Sequence, residues 1–290
     1  MLTRRTALAA ALAVGATAAE AAADDPRAAD AALADLEQRH GGRLGVVIWR
    51  PADGLRIARR ADERFAMCST FKTLAAAAVL ARVDGGREDL ERRVVFGKDQ
   101  VVTYSPVTGP RVGGDGMTLA EICAAAIRFS DNTAGNLLLD SLGGPAGLTR
   151  FARGLGDEIT RLDRYETLLN EATPGDPRDT TSPDAMARNL CKLLLGPTLS
   201  SESRRRLSQW MASNTTGDAR IRRGIPTGWV VMDKTGAGEN GANNDVAVIL
   251  PPSGRPAIVT VYYAESQATG GQRNAVIADV ARVAARALAG

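Results

Sequence analysis

Ser69 and Lys72 stand three residues apart in Ser69-Thr70-Phe71-Lys72. On a helix that spacing puts a hydroxyl and an amine on one face, one turn apart. Serine is a weak nucleophile until an adjacent base takes its proton, and a partly desolvated lysine can be that base. Backbone N–H groups at the same helix start could hold a developing oxyanion. The plainer alternative is a helix cap beside a solvated lysine. Ser130-Asp131-Asn132 falls where a helix is expected to end, so it offers either a proton shuttle with an amide grip or an ordinary polar terminus. Lys234-Thr235-Gly236 lies in a strand, where a cation and a hydroxyl could bind a carboxylate. Its glycine would let another group lie close to the backbone, although a strand running into a turn has the same composition. Glu166 and Asn170, four residues apart, could hold one water between them. They lie in an aperiodic stretch, 161–179, that could equally be a polar loop pinned by Arg164 and Asp179.

Lysine usage sharpens two of these clusters. Of the 36 basic residues only four are lysine, and two of those four are Lys72 and Lys234. Arginine cannot release its proton and presents a planar fork, so these positions are suited to what only a lysine does. The sole histidine, His40, precedes Gly41-Gly42 at an expected helix end and reads as a surface or capping residue. That leaves a His-based serine triad without its base. One histidine and three cysteines exclude a multi-histidine metal centre and zinc-finger spacing, so no metal or other cofactor is expected. A formal charge of +3 gives no reason to expect a nucleic-acid partner.

These clusters must be positioned by the elements around them. Residues 1–23 carry Arg4-Arg5, an uncharged run at 6–19 and an alanine-rich exit. They read as an export signal, either twin-arginine or generally secretory with a chance arginine pair. The mature chain is expected to be a soluble monomer, periplasmic or secreted, with no later apolar run of about 18 residues to anchor it in a membrane. A helix is expected from Pro26 to the Gly41-Gly42 pair, then strands at 44–49 and 55–58 around the turn Pro51-Ala52-Asp53-Gly54. Helices are expected over 73–81, from the Thr118/Glu121 capping box towards Phe129, and from Ser182-Pro183 to Leu195. Strands return at 230–234, 246–250 and 257–263, with links too short for parallel crossovers. Val276, Ile277, Val280, Val283, Ala284 and Leu288 then form one helical stripe suited to covering a sheet. The pattern predicts an α/β plus all-α chain. An antiparallel five-stranded sheet flanked by helices would come from 24–61 and 213–290, with an all-helical domain, 62–212, inserted.

Ser-x-x-Lys, Ser-Asp-Asn, Glu-x-x-Leu-Asn and Lys-Thr-Gly, in this order, together resemble the class A serine β-lactamases. The resemblance spans essentially the whole mature chain. It implies a β-lactamase/transpeptidase-like fold with the active site in the groove between the domains, and resistance to β-lactam antibiotics as the outcome. It further implies that Ser69 attacks the lactam carbonyl while backbone N–H groups of Ser69 and Ala237 hold the oxyanion. Ser130 would protonate the leaving nitrogen, Asn132 would bond the acylamide, and Lys234, Thr235 and Gly236 would line the carboxylate side. Glu166 and Asn170 would position the deacylating water. Either Lys72 or Glu166, acting through that water, would be the acylation base.

Tyr104 matches the aromatic at the family's groove entrance, and Arg220 resembles the arginine some branches direct at the substrate carboxylate, since Asn243 stands where many relatives have an arginine. Cys68 adjoins the nucleophile, but Gly238 occupies the place of the cysteine to which carbapenem-hydrolysing relatives bridge it. Robust carbapenem hydrolysis is therefore not expected. Cys123 and Cys191 read as small buried hydrophobes. Two rivals share part of the motif set: a penicillin-binding transpeptidase or DD-carboxypeptidase, and a sensor module that is acylated without turnover. The Glu166–Asn170 pair argues against the first, and the lack of a visible anchor or partner domain against the second.

Overall fold

Alternation along the strands decides how the chain layers. In the computed structural model, which describes residues 26–289, β1 (Arg43–Arg50) sends Leu44, Val46 and Ile48 to one side and Val47 to the other. The same two-residue period runs through the other central strands. In β4 (Asn243–Leu250), Ala247 and Ile249 oppose Val246 and Val248, and in β5 (Ala257–Ala264), Val259 and Val261 oppose Ile258 and Tyr262. With β2 (Leu55–Arg59) and β3 (Val230–Ala237) they form one antiparallel sheet in the order β2-β1-β5-β4-β3. Both faces carry apolar side chains, so each must be covered. The five expected strands are all present, most of them longer than expected. β3 continues from Lys234 through Ala237, so the whole Lys-Thr-Gly cluster lies on the edge strand, not in a turn. The expected export signal, residues 1–23, lies outside the described residues.

One face is covered by α1 (Pro26–His40) and α8 (Gly270–Leu288). The expected stripe of α8 is buried on Leu44, Val46, Ile48, Val259 and Val261, together with Leu33 and Leu36 of α1. Each fully buried aliphatic side chain there contributes about 1.5–3 kcal/mol. His40 ends α1 and is exposed.

The other face meets the helical part. Its centre is α2 (Phe71–Asp84), whose residues from Phe71 to Leu80 are all buried. A helix apolar all round has to sit inside other helices. Here they are α3 (Leu119–Arg128), α4 (Asn132–Leu142), α5 (Pro145–Gly154) and α7 (Ser201–Ala212). Thr118 and Glu121 form the expected capping box of α3, with Thr118 Oγ1 accepting from Glu121 N at 3.2 Å. The helix expected from Ser182-Pro183 begins there as α6 (Pro183–Leu190), but from Cys191 to Leu195 it widens into a π-helical turn. All three cysteines are free. Among the described residues no helix is long and apolar enough to cross a membrane.

Candidate active site

Ser69 sits in a single 3₁₀ turn, Cys68–Thr70, that runs directly into α2. Cys68 adopts a left-handed φ of 45°, which costs a non-glycine residue of order 1–3 kcal/mol and has to be held by its neighbours. Asn244 of β4 is one holder: its Nδ2 donates to the carbonyls of Ala66 and Met67 at 2.9 and 3.1 Å. Asp179 is another, its carbonyl accepting from Met67 N at 2.9 Å. Strand β3 passes so close that a Cβ on Gly236 would meet Met67 O at 2.7 Å. The close approach expected at this glycine is therefore made by the turn that carries Ser69.

One turn into α2, Lys72 is fully buried. Its Nζ lies 2.8 Å from Ser69 Oγ, 2.9 Å from Ser130 O, 2.7 Å from Asn132 Oδ1 and 2.9 Å from Glu166 Oε1. Burial pulls its pKa below that of an ordinary lysine, while the Glu166 charge works in the opposite direction. Gly135 of α4 makes the packing feasible, because a Cβ there would lie 2.7 Å from Lys72 Cε.

A helix does end just before Ser130-Asp131-Asn132, at Arg128, and a second begins at Asn132, so the tripeptide is a joint between two helices. Asp131 caps α4, its Oδ1 accepting from Ala134 N at 2.8 Å and its Oδ2 from Val107 N and Thr108 N, both at 2.9 Å. Ser130 takes a left-handed φ of 56°, and Lys234 Nζ donates to its Oγ at 3.0 Å. Tyr104, also left-handed, is tied in by its carbonyl, which accepts from Asn132 N at 3.0 Å. The Tyr104 side chain stands exposed at the rim.

Glu166 is buried on the loop between α5 and α6, and its peptide bond to Thr167 is cis. Its backbone is clasped by Asn136 of α4, which accepts from Glu166 N at 2.8 Å and donates to Glu166 O at 3.0 Å. Glu166 Oε1 accepts from Ser69 Oγ at 3.2 Å, and Oε2 accepts from Asn170 Nδ2 at 2.5 Å. Asn170 Oδ1 is buried without a partner. The loop is closed at its neck by Arg164 and Asp179, as the sequence allowed.

Lys234 is fully buried at the edge strand, and burial, reinforced by the Lys72 charge, pushes its pKa well below the usual value. Arg220 spans the strands, donating to Gly236 O at 2.8 Å, Asn244 O at 2.6 Å and Asn274 Oδ1 at 2.9 Å. Asn243, where an arginine was noted as missing, bonds the same Asn274 oxygen at 3.0 Å. Ser69, Tyr104, Ser130, Asn132, Asn170, Arg220, Thr235, Gly236 and Ala237 line one cleft of about 290 Å³. Lys72, Glu166 and Lys234 lie buried beside it. The candidate catalytic and substrate-binding residues thus meet at one place.

Residues 28–288 match the model of the β-lactamase enzyme family. The chain belongs to the class A β-lactamases. It is 49% identical over 260 residues to β-lactamase FAR-1 of Nocardia farcinica, covering 90% of this chain and 83% of that one. It is also 49% identical over 251 residues to β-lactamase Toho-1 of Escherichia coli, covering 87% and 86%. Among solved structures it resembles an ancestral (GNCA) class A β-lactamase with a TM-score of 0.87 and 60% identity, over 88% of this chain and 98% of that one. As a β-lactamase it is a hydrolase that opens β-lactam antibiotics and confers resistance to them.

Sequence reading alone did not find several groups that shape this β-lactamase site. Asn136 is one, although its i+4 spacing from Asn132 on α4 places both amides on one helix face and was a usable signal. Thr216 also lines the cleft, and behind it Asn214, Asp233 and Arg222 form a buried polar chain. Asn214 and Thr216 bond each other locally, but they and Arg222 come together with Asp233 only where the chain folds against β3.

Proposed function

We propose that this β-lactamase works through a serine acyl-enzyme formed by Ser69 and hydrolysed by a water that Glu166 and Asn170 position. The observation that carries the reading is the crowding at Lys72 Nζ. Four oxygen atoms lie within 2.9 Å of it, whereas an ammonium has three protons. The carbonyls of Ser130 and Asn132 can only accept, so they take two protons. A neutral Lys72 keeps only those two protons, so its lone pair is free to take the proton of Ser69 Oγ. Neutral Lys72 then receives the serine proton as Ser69 attacks the lactam carbonyl. The buried, charge-opposed lysine is suited to this exchange.

Ser69 N and Ala237 N, at the two walls of the cleft, are assigned to the oxyanion. Ser130 Oγ, bonded to Lys234, is assigned to protonate the departing nitrogen, and Asn132 to hold the acylamide side chain. Lys234, Thr235 and Arg220 face the substrate carboxylate along the strand at Gly236, and Tyr104 flanks the entrance. In deacylation, Glu166 takes a proton from water whose position is fixed by the unpartnered Asn170 Oδ1, a polar atom that needs a donor. No metal or cofactor enters any step. We also assign 24–61 with 213–290, and 62–212, to separate domains, and residues 1–23 to export of a monomer to the periplasm or medium.

Product formed per enzyme molecule in a large excess of a penicillin tests the mechanism. Many equivalents, with a stable adduct on Ser69 when Glu166→Ala is substituted, support it. One equivalent followed by silence in the unaltered enzyme would instead identify a penicillin-binding protein or sensor.

A further inference from the structure

The wall of the cleft behind Thr235 contains a chain of hydroxyl and amide groups whose proton directions can be counted. Thr216 N donates to Asn214 Oδ1 at 3.0 Å, and a backbone N–H can only donate. The Asn214 carbonyl therefore faces Thr216, and its amide nitrogen faces Asp233, donating to Oδ2 at 2.6 Å. Arg222 Nε donates to the other oxygen of Asp233, also at 2.6 Å. Thr216 Oγ1 lies 2.8 Å from the same Asn214 oxygen, so its single proton goes there. The remaining contact, Thr216 Oγ1 to Thr235 Oγ1 at 2.5 Å, also needs a proton, and only Thr235 can supply it. The order is therefore fixed: Thr235 donates to Thr216, and Thr216 donates to Asn214.

We propose that Thr216 is a specificity-determining residue that holds the Thr235 hydroxyl proton away from the substrate carboxylate. This rests on the reading that the carboxylate binds beside Lys234, Thr235 and Arg220. A carboxylate entering there gains the Thr235 proton only by breaking the Thr235–Thr216 bond. Thr216 keeps its own proton on Asn214 and offers the anion nothing in return. The exchange replaces a neutral bond by a charge-assisted one and still favours binding, but by less than an unengaged hydroxyl would. Thr216 thereby weakens binding of anionic substrates and leaves neutral ones unaffected. Asn214, locked by Asp233 and Arg222, is the positioning residue that keeps Thr216 from turning round.

Thr216→Val keeps the shape and removes the hydroxyl. Losing one neutral hydrogen bond from the unliganded state is expected to lower KM for benzylpenicillin about three- to tenfold, with kcat within about twofold. KM for the methyl ester of benzylpenicillin should not move, and Thr216→Ser should restore the original KM for the acid. Thr216→Ala gives the same readout should the valine variant fail to fold. A KM for the acid that stays level or rises in Thr216→Val would overturn the proposal, since Thr216 would then be neutral or a direct donor to the carboxylate. An equal fall for acid and ester would overturn it too. An unaltered enzyme that does not distinguish acid from ester removes the carboxylate subsite, and this inference with it. One that turns over neither compound removes the hydrolytic reading itself.

Discussion

Arg164 Nε donates to Asp179 Oδ2 at 2.6 Å, joining the two ends of the loop that carries Glu166. Asp179 is fully buried and left-handed, and its other oxygen accepts from Asp163 N and Arg164 N at 2.8 and 2.9 Å. The same residue's carbonyl holds Met67, two positions before Ser69. One side chain and its backbone thus tie the loop that carries Glu166 to the turn that carries Ser69.

Asp179→Asn should therefore impair stability and turnover together. The amide would turn a donor towards backbone N–H groups or towards Arg164, leaving a buried pair broken. Such a loss costs about 3 kcal/mol, which appears as a melting temperature lower by several degrees. Thermal unfolding and penicillin turnover of the variant check both effects. If neither changes, the loop is held elsewhere.

Lys72→Arg keeps the charge and removes the ability to give up a proton. Turnover should fall about 10³-fold, within the range for loss of a general base. The guanidinium must also fit a buried space with Gly135 against it, so a melting curve has to accompany the kinetics. Near-normal kcat in a well-folded variant would disprove the proton-transfer role.

On the proposed mechanism, deacylation is the step that separates Glu166 from the rest of the site. Glu166→Ala should leave Ser69 reactive and let the acyl-enzyme accumulate. Mass spectrometry after exposure to benzylpenicillin should show one intact penicillin added per chain, because ring opening by Ser69 adds no water. An unmodified chain would instead place Glu166 in acylation as well.

Lys234 sets an alkaline limit on substrate binding. Its pKa is depressed by burial and by Lys72, so it loses its charge at a pH well below that at which an ordinary lysine does. As pH rises through that value, attraction for the carboxylate falls and KM for a penicillin should rise, well before pH reaches about 10.5. Lys234→Arg should move this limb to higher pH. A KM that stays flat to that pH would show that Lys234 does not titrate there.

Gly238 faces the free thiol of Cys68. A Cβ at this position would lie 2.8 Å from Cys68 Sγ and 2.5 Å from Asn170 O. Gly238→Cys should form a disulfide under oxidising conditions, while pushing the Asn170 backbone aside. Thiol titration in denaturant should then find two free cysteines, Cys123 and Cys191, where the unaltered chain has three. A titration showing four would mean the loop does not yield.

What the sequence alone determined is what repeats locally. The two-residue period at 44–49 and 257–263, the stripe from Val276 to Leu288 and the Thr118/Glu121 box each depend on neighbours a few residues away, so strands, helices and their order were legible. The chemical groups were legible as well, because Ser69-x-x-Lys72 and Lys234-Thr235-Gly236 require particular side chains at close spacing. Only the tertiary structure decided what surrounds them. Ser130 belongs to a left-handed joint between two helices because Asp131 caps the second and Lys234, 104 residues away, bonds the hydroxyl. Four acceptors converge on Lys72 from the 3₁₀ turn before α2, from α4, from the Ser130 joint and from the Glu166 loop. The Thr235–Thr216–Asn214–Asp233 chain likewise crosses between segments that meet only after folding. Proton direction and pKa depend on burial and on partners distant in sequence, and neither exists until the sheet edge and the helices close around the cleft.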